Sequence, residues 1–218
     1  MKGLLIKDWK LLLGQKQFFM VTGFIVLVFL VTSENPAFVV SYATIMYTVF
    51  TISTISYDDH HNGMTFLFTL PVSRREYVIE KYSFGILSAG ITAFLVLSAM
   101  TAVSGVKGDG MAVEDIFAAE VTAIMIAVVF LSFTIPIQLK FGAEKGRMAL
   151  MAVSIVIFIL VWGGALVLKK MNLSPVRLVN RLDEIPLVQF VCGVLAVCAV
   201  LMLVSGAVSL RFLKQREF

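Results

Sequence analysis

Tyr57-Asp58-Asp59-His60-His61-Asn62-Gly63-Met64-Thr65-Phe66-Leu67-Phe68-Thr69-Leu70-Pro71-Val72-Ser73-Arg74-Arg75-Glu76 interrupts a chain otherwise built from apolar runs. Those runs lie at 18–33, 37–56, 82–104, 116–138, 148–168 and 187–209. Each is close to the roughly 20 helical residues that cross the hydrocarbon core of a bilayer. Apolar residues fill 59% of the 218 positions, charged residues only 15%, and the mean hydropathy is +0.95. A soluble domain needs more charge than this to coat its surface, so the excess apolar surface faces lipid. Backbone groups in lipid must be paired within helices or closed barrels, and the ten-residue alternating segments of a barrel do not occur in the sequence. The expected fold class is therefore all-α, a polytopic membrane protein with six transmembrane helices forming a single transmembrane domain over 1–218. The quoted break then becomes the longest segment outside the membrane on its side, where a soluble partner would dock.

Orientation follows from the basic residues. With the N-terminus inside, the inner segments hold Lys2, Lys7, Lys10, Lys16, Arg74, Arg75, Lys81, Lys140, Lys145, Arg147, Arg211, Lys214 and Arg216, thirteen of the 18. Lys107, Lys169, Lys170, Arg177 and Arg181 fall outside. The positive-inside rule favours both termini in the cytosol. The net charge of +4 reflects this bias toward anionic headgroups and not nucleic-acid binding. Charge punctuates the first 17 residues and no small-residue cleavage site closes the first run, so no cleavable signal peptide is expected. Cys192 and Cys198 share the last run. Six helical residues set them about 9 Å apart, beyond disulfide reach, and they read as small hydrophobes.

The runs are joined by elements with their own patterns. In residues 1–17, Leu5, Ile6, Trp9, Leu12 and Leu13 share one helical half, with Gly3, Lys7, Lys10 and Gly14 opposite. That is the pattern of an amphipathic interfacial helix; Leu4 and Leu11 fall on its polar side and could touch another protein surface. Helices 1 and 2 occupy 18–56, joined by the turn Ser33-Glu34-Asn35-Pro36. Ser41, Thr44, Thr48 and Thr51 mark one face of helix 2, with Tyr47 and Thr54 beside it. This stripe reads either as helix–helix glue or as the lining of an amphipathic substrate pathway. Within 57–76, Met64, Phe66, Leu67, Phe68 and Leu70 form an apolar surface on a short helix. Thr69-Leu70-Pro71-Val72 breaks that helix, and Ser73 to Glu76 restarts one as a capping box. Helices 3–6 occupy 77–209 and a basic tail 210–218. Gly85, Ala89 and Ala93, and likewise Ala119, Ala123 and Ala127, recur every four residues and permit close helix packing. Pro136 should kink or end helix 4. The outer segment from Lys169 to Pro186 could hold a short surface helix.

Catalytic readings find little support. The two histidines, His60 and His61, both lie in the polar break. With Asp58 and Asp59 they make four consecutive residues that point in four directions, poor spacing for a helical metal site. Only Glu120 approaches mid-membrane, which gives little for ion coupling. Gly142-Ala143-Glu144-Lys145-Gly146-Arg147 is not a phosphate-binding loop, so any ATP must bind another polypeptide. No catalytic, cofactor-binding or metal site is expected in this chain.

The strings Tyr57-Asp58-Asp59, Leu70-Pro71-Val72-Ser73-Arg74 and Lys81-Tyr82, with Met1-Lys2-Gly3-Leu4-Leu5-Ile6-Lys7-Asp8 at the start, resemble the small ABC-2-type permeases of bacterial ABC exporters. The resemblance lies in the first 85 or so residues; many family members carry Asp-Glu where this chain has Asp58-Asp59, and a Trp that Phe66 stands in for. It implies a six-helix subunit in the bacterial cell (inner) membrane, paired with an identical or homologous permease, with a separate ABC ATPase that carries ATP and Mg on each half. It also implies that 57–76 contains the coupling helix, contacting the ATPase through His61, Met64, Phe66, Leu67 and Phe68, and that 1–17 is the connecting helix. Members of this branch are associated with export of antimicrobial or amphipathic peptides, phenol-soluble modulins among them. On this reading Ser41, Thr44, Tyr47, Thr48 and Thr51 line the route. The alternatives are a non-transporting immunity or sensor subunit and an ion-coupled carrier. With both native cysteines replaced by alanine, Asp109→Cys should react with an impermeant reagent from outside and Asn62→Cys only after permeabilisation. The reverse pattern would overturn the orientation.

Overall fold

The computed structural model describes residues 2–33, 35–60, 63–107, 113–170 and 187–216. Among them every element is helical: α1 Lys2–Gly14, α2 Lys16–Thr32, α3 Pro36–Asp59, α4 Gly63–Thr69, α5 Arg74–Lys107, α6 Val113–Lys170 and α7 Leu187–Gln215. Segments of α3, α5, α6 and α7, at Ala37–Asp59, Arg74–Gly105, Asp115–Gly142 and Val191–Gln215, are long and apolar enough to cross a membrane. The bent pair of α1 and α2 qualifies as a fifth only when taken together. The protein is thus an all-helical, multi-pass membrane protein. Of the expected span at 148–168 the structure describes chiefly the backbone, which stays helical to Lys170. His61, Asn62, Gly108 to Ala112 and the expected outer segment 171–186 lie outside the described residues.

Local chemistry explains the element boundaries. The first helix stops at Gly14, and α1 meets α2 at 69°. Ser33 ends α2 with its amide donating to Phe29 O at 2.8 Å. The Asn35 side chain accepts from the Phe38 amide at 3.3 Å, and Pro36 fills the first turn of α3 where a missing N–H costs nothing. After α4 the chain bends at Leu70-Pro71, and α5 opens with the expected capping box. The Ser73 amide and hydroxyl each donate to Glu76 Oε2 at 2.9 Å, and the Glu76 amide donates back to Ser73 Oγ at 3.2 Å.

α3 packs chiefly on α6 and α5, and α7 on α6. The small residues do what their spacing suggests. Ala89, Ala93, Ala119, Ala123 and Ala127 are all buried, and a Cβ on Gly85 would lie 2.7 Å from Leu131 Cδ2. The bare backbone at position 85 thus gives the Leu131 side chain of α6 its room against α5.

Of the two outcomes expected of Pro136, a kink or an end, the helix does not end there; the one residue of α6 with non-helical backbone angles is Gly142, with φ 75. Proline has no N–H for the carbonyl four residues back, which here belongs to Ser132. Ser205 Oγ on α7 donates to Ser132 O at 2.5 Å and supplies the lost partner. Tyr82 OH lies 2.5 Å from the same Ser205 Oγ and 3.0 Å from Ser209 Oγ. One polar chain thus ties α5, α7 and α6 together at the proline. At Gly142 the reason is steric. A Cβ would sit 2.6 Å from Asp59 Oδ2 and 2.7 Å from Arg216 Nη2, so a positive-φ glycine lets α6 turn against that ion pair.

Candidate functional site

The polar groups concentrate where α3 ends and α5 begins. At 1.5 Å per residue the 34 residues of α5 extend about 51 Å, well beyond a hydrocarbon core of about 30 Å. A helix this long has room for its charged first turns, Arg74 to Lys81, at the membrane surface.

Lys81 is fully buried, and its ammonium is the centre of a cluster drawn from three helices. It pairs with Asp8 of α1, with Asp58 Oδ2 of α3 at 2.9 Å, and donates to Thr54 Oγ1 at 3.1 Å. Tyr77 OH donates to Asp58 Oδ2 at 3.0 Å, and Lys7 pairs with Asp58 and, at 3.2 Å, with Asp8. Glu80 Oε2 lies 3.8 Å from the Lys81 ammonium, and neither Glu80 oxygen has a hydrogen-bond partner. Three carboxylates thus surround two ammonium groups. Taking such charges out of water costs several kcal/mol per ion, so each depends on the others remaining in place.

Tyr57, Asp58 and Asp59 make three separate attachments. Tyr57 OH accepts from Gln15 Nε2 at 2.5 Å, at the junction of α1 and α2. Asp58 enters the Lys81 cluster. Asp59 Oδ1 meets Arg216 Nη1 at 3.1 Å, beyond the end of α7. Arg74 makes a fourth attachment: its Nη1 donates to Leu213 O at 2.8 Å and Lys214 O at 2.9 Å, carbonyls of the last turn of α7. Its guanidinium also lies 5.8 Å from the Phe68 ring centroid.

These attachments fix α4. Met64 and Leu67 turn inward, 1% and 8% exposed, into an apolar core shared with Leu4, Ile55, Tyr77 and Leu213. Phe68 is half-buried and meets the Tyr77 ring edge-on at 5.9 Å. Phe66 points the other way, 69% exposed, with Thr65 and Leu70 also exposed. Of the expected coupling residues that are described, Phe66 is the exposed one and Phe68 is partly exposed. Met64 and Leu67 hold α4 to its own chain, and His61 lies outside the described residues.

Ser41, Thr44, Thr48 and Thr51 are buried inside the bundle. Thr44 Oγ1 donates to Val40 O at 2.7 Å and Thr48 Oγ1 to Thr44 O at 2.6 Å, so both hydroxyls are satisfied within their own helix. Tyr47 is half-buried and lines an apolar cavity of about 370 Å³. Among the described residues no group of His, Cys, Asp and Glu is arranged to hold a metal ion.

Sequence reasoning quoted Lys81, Asp58 and Asp8 as members of separate strings and missed that they meet. The available signal was Leu4, Asp8 and Leu12 at intervals of four. These are the three buried residues of α1, and Leu4 was one of the two leucines that fell on the polar side of the amphipathic pattern.

The family model described as ABC-2 family transporter protein matches residues 3–214. No curated protein and no solved structure matches.

Lys81→Met should destabilise the protein by about 3–5 kcal/mol, because it leaves the buried carboxylates of Asp8 and Asp58 to the partly exposed Lys7 alone. Adding Asp8→Asn and Asp58→Asn should recover part of that loss. Thermal unfolding of the purified protein checks both, and an unchanged melting temperature in the single variant would contradict the geometry.

Proposed function

The chain belongs to the ABC-2 family of transporter proteins, and from that premise we propose that it is the permease subunit of an ATP-driven exporter. A separate ABC ATPase binds ATP and Mg, and a second permease subunit, identical or homologous, completes the membrane unit. The chain itself is not an enzyme. It crosses the bacterial cell membrane six times with both termini in the cytosol, and α1 lies along the inner face.

The observation that carries this reading is the setting of α4. A seven-residue helix outside the spans is anchored by Met64 and Leu67 and followed by a capped helix, while it presents Phe66 outward. An aromatic side chain displayed on a rigid mount is what a groove on an ATPase can grip. Force applied there passes into α5 through the capping box, and into α1 and α3 through the Lys81 cluster. The helices then move as bodies, because packed cores switch between arrangements and do not stretch.

For cargo, we propose amphipathic peptides or similar amphiphiles. The α3 face of Ser41, Thr44, Tyr47, Thr48 and Thr51 is uncharged, and Thr44 and Thr48 spend their hydroxyls on their own helix. Such a face suits an apolar or amphipathic surface better than an ion or a sugar. In the present arrangement Ser41, Thr44, Thr48 and Thr51 are packed inside the bundle, so α3 must part from α5 and α6 for them to line a route.

Phe66→Asp should abolish co-purification of the ATPase and leave the melting temperature of the permease nearly unchanged. Leu67→Asp should lower that melting temperature, because it buries a charge in the chain's own core. Retained ATPase binding in Phe66→Asp would remove α4 as the contact. A native complex with no ATPase at all would favour the immunity or sensor reading.

A further inference from the structure

The 69° bend between α1 and α2 leaves an apolar slot of about 370 Å³ between them and α5. Trp9 and Leu13 of α1, Gly23 of α2, Tyr47 of α3, and Ile91 and Leu95 of α5 are among its walls. Leu13, Ile91 and Leu95 are exposed, so the slot opens on the lipid-facing surface of the bundle. Ser88 and Thr92 also border it, but their hydroxyls donate to Gly85 O at 2.9 Å and Ser88 O at 2.7 Å. The walls thus offer almost nothing polar to a guest, and a charged or sugar group inside would go unpaired. The volume falls in the roughly 300–1,000 Å³ range of small-molecule sites.

The edge of the slot has a definite charge. Lys16 opens α2 on the face that carries Phe19 and Gly23 of the lining, and it is exposed, with no ion pair among the described residues. The one acid of α1, Asp8, is turned inward and taken up by Lys81 and Lys7. An indole and an exposed ammonium group therefore stand beside a narrow apolar slot. This is the chemical complement of an amphiphile with an anionic head and a hydrocarbon tail.

We propose that this slot holds one acyl chain of an anionic phospholipid, with the lipid phosphate at Lys16. The chain wedges between α1 and α5 and so braces α1 on its Trp9 and Leu13 side. The lipid is a resident of the permease, in place with or without cargo.

The full-length protein with Trp162→Phe has Trp9 as its one indole. It is reconstituted in zwitterionic vesicles containing graded amounts of phosphatidylglycerol or phosphatidylcholine brominated in mid-chain. Brominated phosphatidylglycerol should quench Trp9 at several-fold lower mole fraction than brominated phosphatidylcholine, with about fivefold of that preference lost on Lys16→Gln at low salt. A Cβ on Gly23 meets nothing within 4 Å, so larger side chains there fill the slot without a clash. Gly23→Leu and Gly23→Phe should progressively bring phosphatidylglycerol quenching down to the phosphatidylcholine level, with unchanged elution of the protein. Identical curves for the two lipids, or quenching indifferent to both Gly23 variants, would overturn the proposal. Reversal of the phosphatidylglycerol quenching by a stoichiometric amphipathic peptide would overturn it too, and would assign the slot to cargo.

Discussion

One ammonium group without solvent contact holds the membrane-surface end of this protein together. Lys81 lies between Asp8 of α1 and Asp58 of α3, on a helix whose apolar part starts one residue later. A lysine there would ordinarily extend to the headgroups. It is kept inside because two carboxylates, a threonine hydroxyl and the face of Tyr77 replace its water. The desolvation cost makes the arrangement close to all-or-none: with one partner removed, the remaining charges favour opening the cluster to water over keeping it shut. This explains why α1, α3 and α5 meet at a single point, and why α4, placed between α3 and α5, is rigidly mounted.

The other half of the bundle is fastened to the same place by different chemistry. Arg74 caps the end of α7, Asp59 pairs with Arg216 just past it, and Gly142 lets α6 turn against that pair. A little farther along α5, Tyr82 reaches Ser205, whose hydroxyl serves the carbonyl freed by Pro136. Residues 57–82 therefore touch α1, α6 and α7 within a few turns. A displacement of α4 is felt by all of them, which is the mechanical property that the proposed coupling role requires.

Much of this was legible in the sequence. The all-helical class, the break at 57–76, the Pro71 stop and the Ser73–Glu76 cap follow from hydropathy, proline stereochemistry and hydrogen-bond arithmetic that act over a few residues. What escaped depends on partners distant in the chain. Pro136 left a kink or a helix end open because the rescuing hydroxyl of Ser205 lies 69 positions away. Met64 and Leu67 looked like a docking surface alongside Phe66, since the composition of a seven-residue helix does not say which side its own core will claim. Asp8 looked like one more charge on an interfacial helix. Only its register with Leu4 and Leu12 distinguished it, and that stripe gains meaning once α3 and α5 are placed beside it.

The central claim is that the Lys81 cluster fastens α1 to the helices that carry α4. Amide hydrogen exchange of the intact protein in lipid, read segment by segment for wild type and Lys81→Met, tests it directly. The account predicts that the variant loses protection throughout Lys2–Gly14 and at the α3 end around Asp58, while Leu187–Gln215 stays protected. Unchanged protection of α1 in the variant would contradict it.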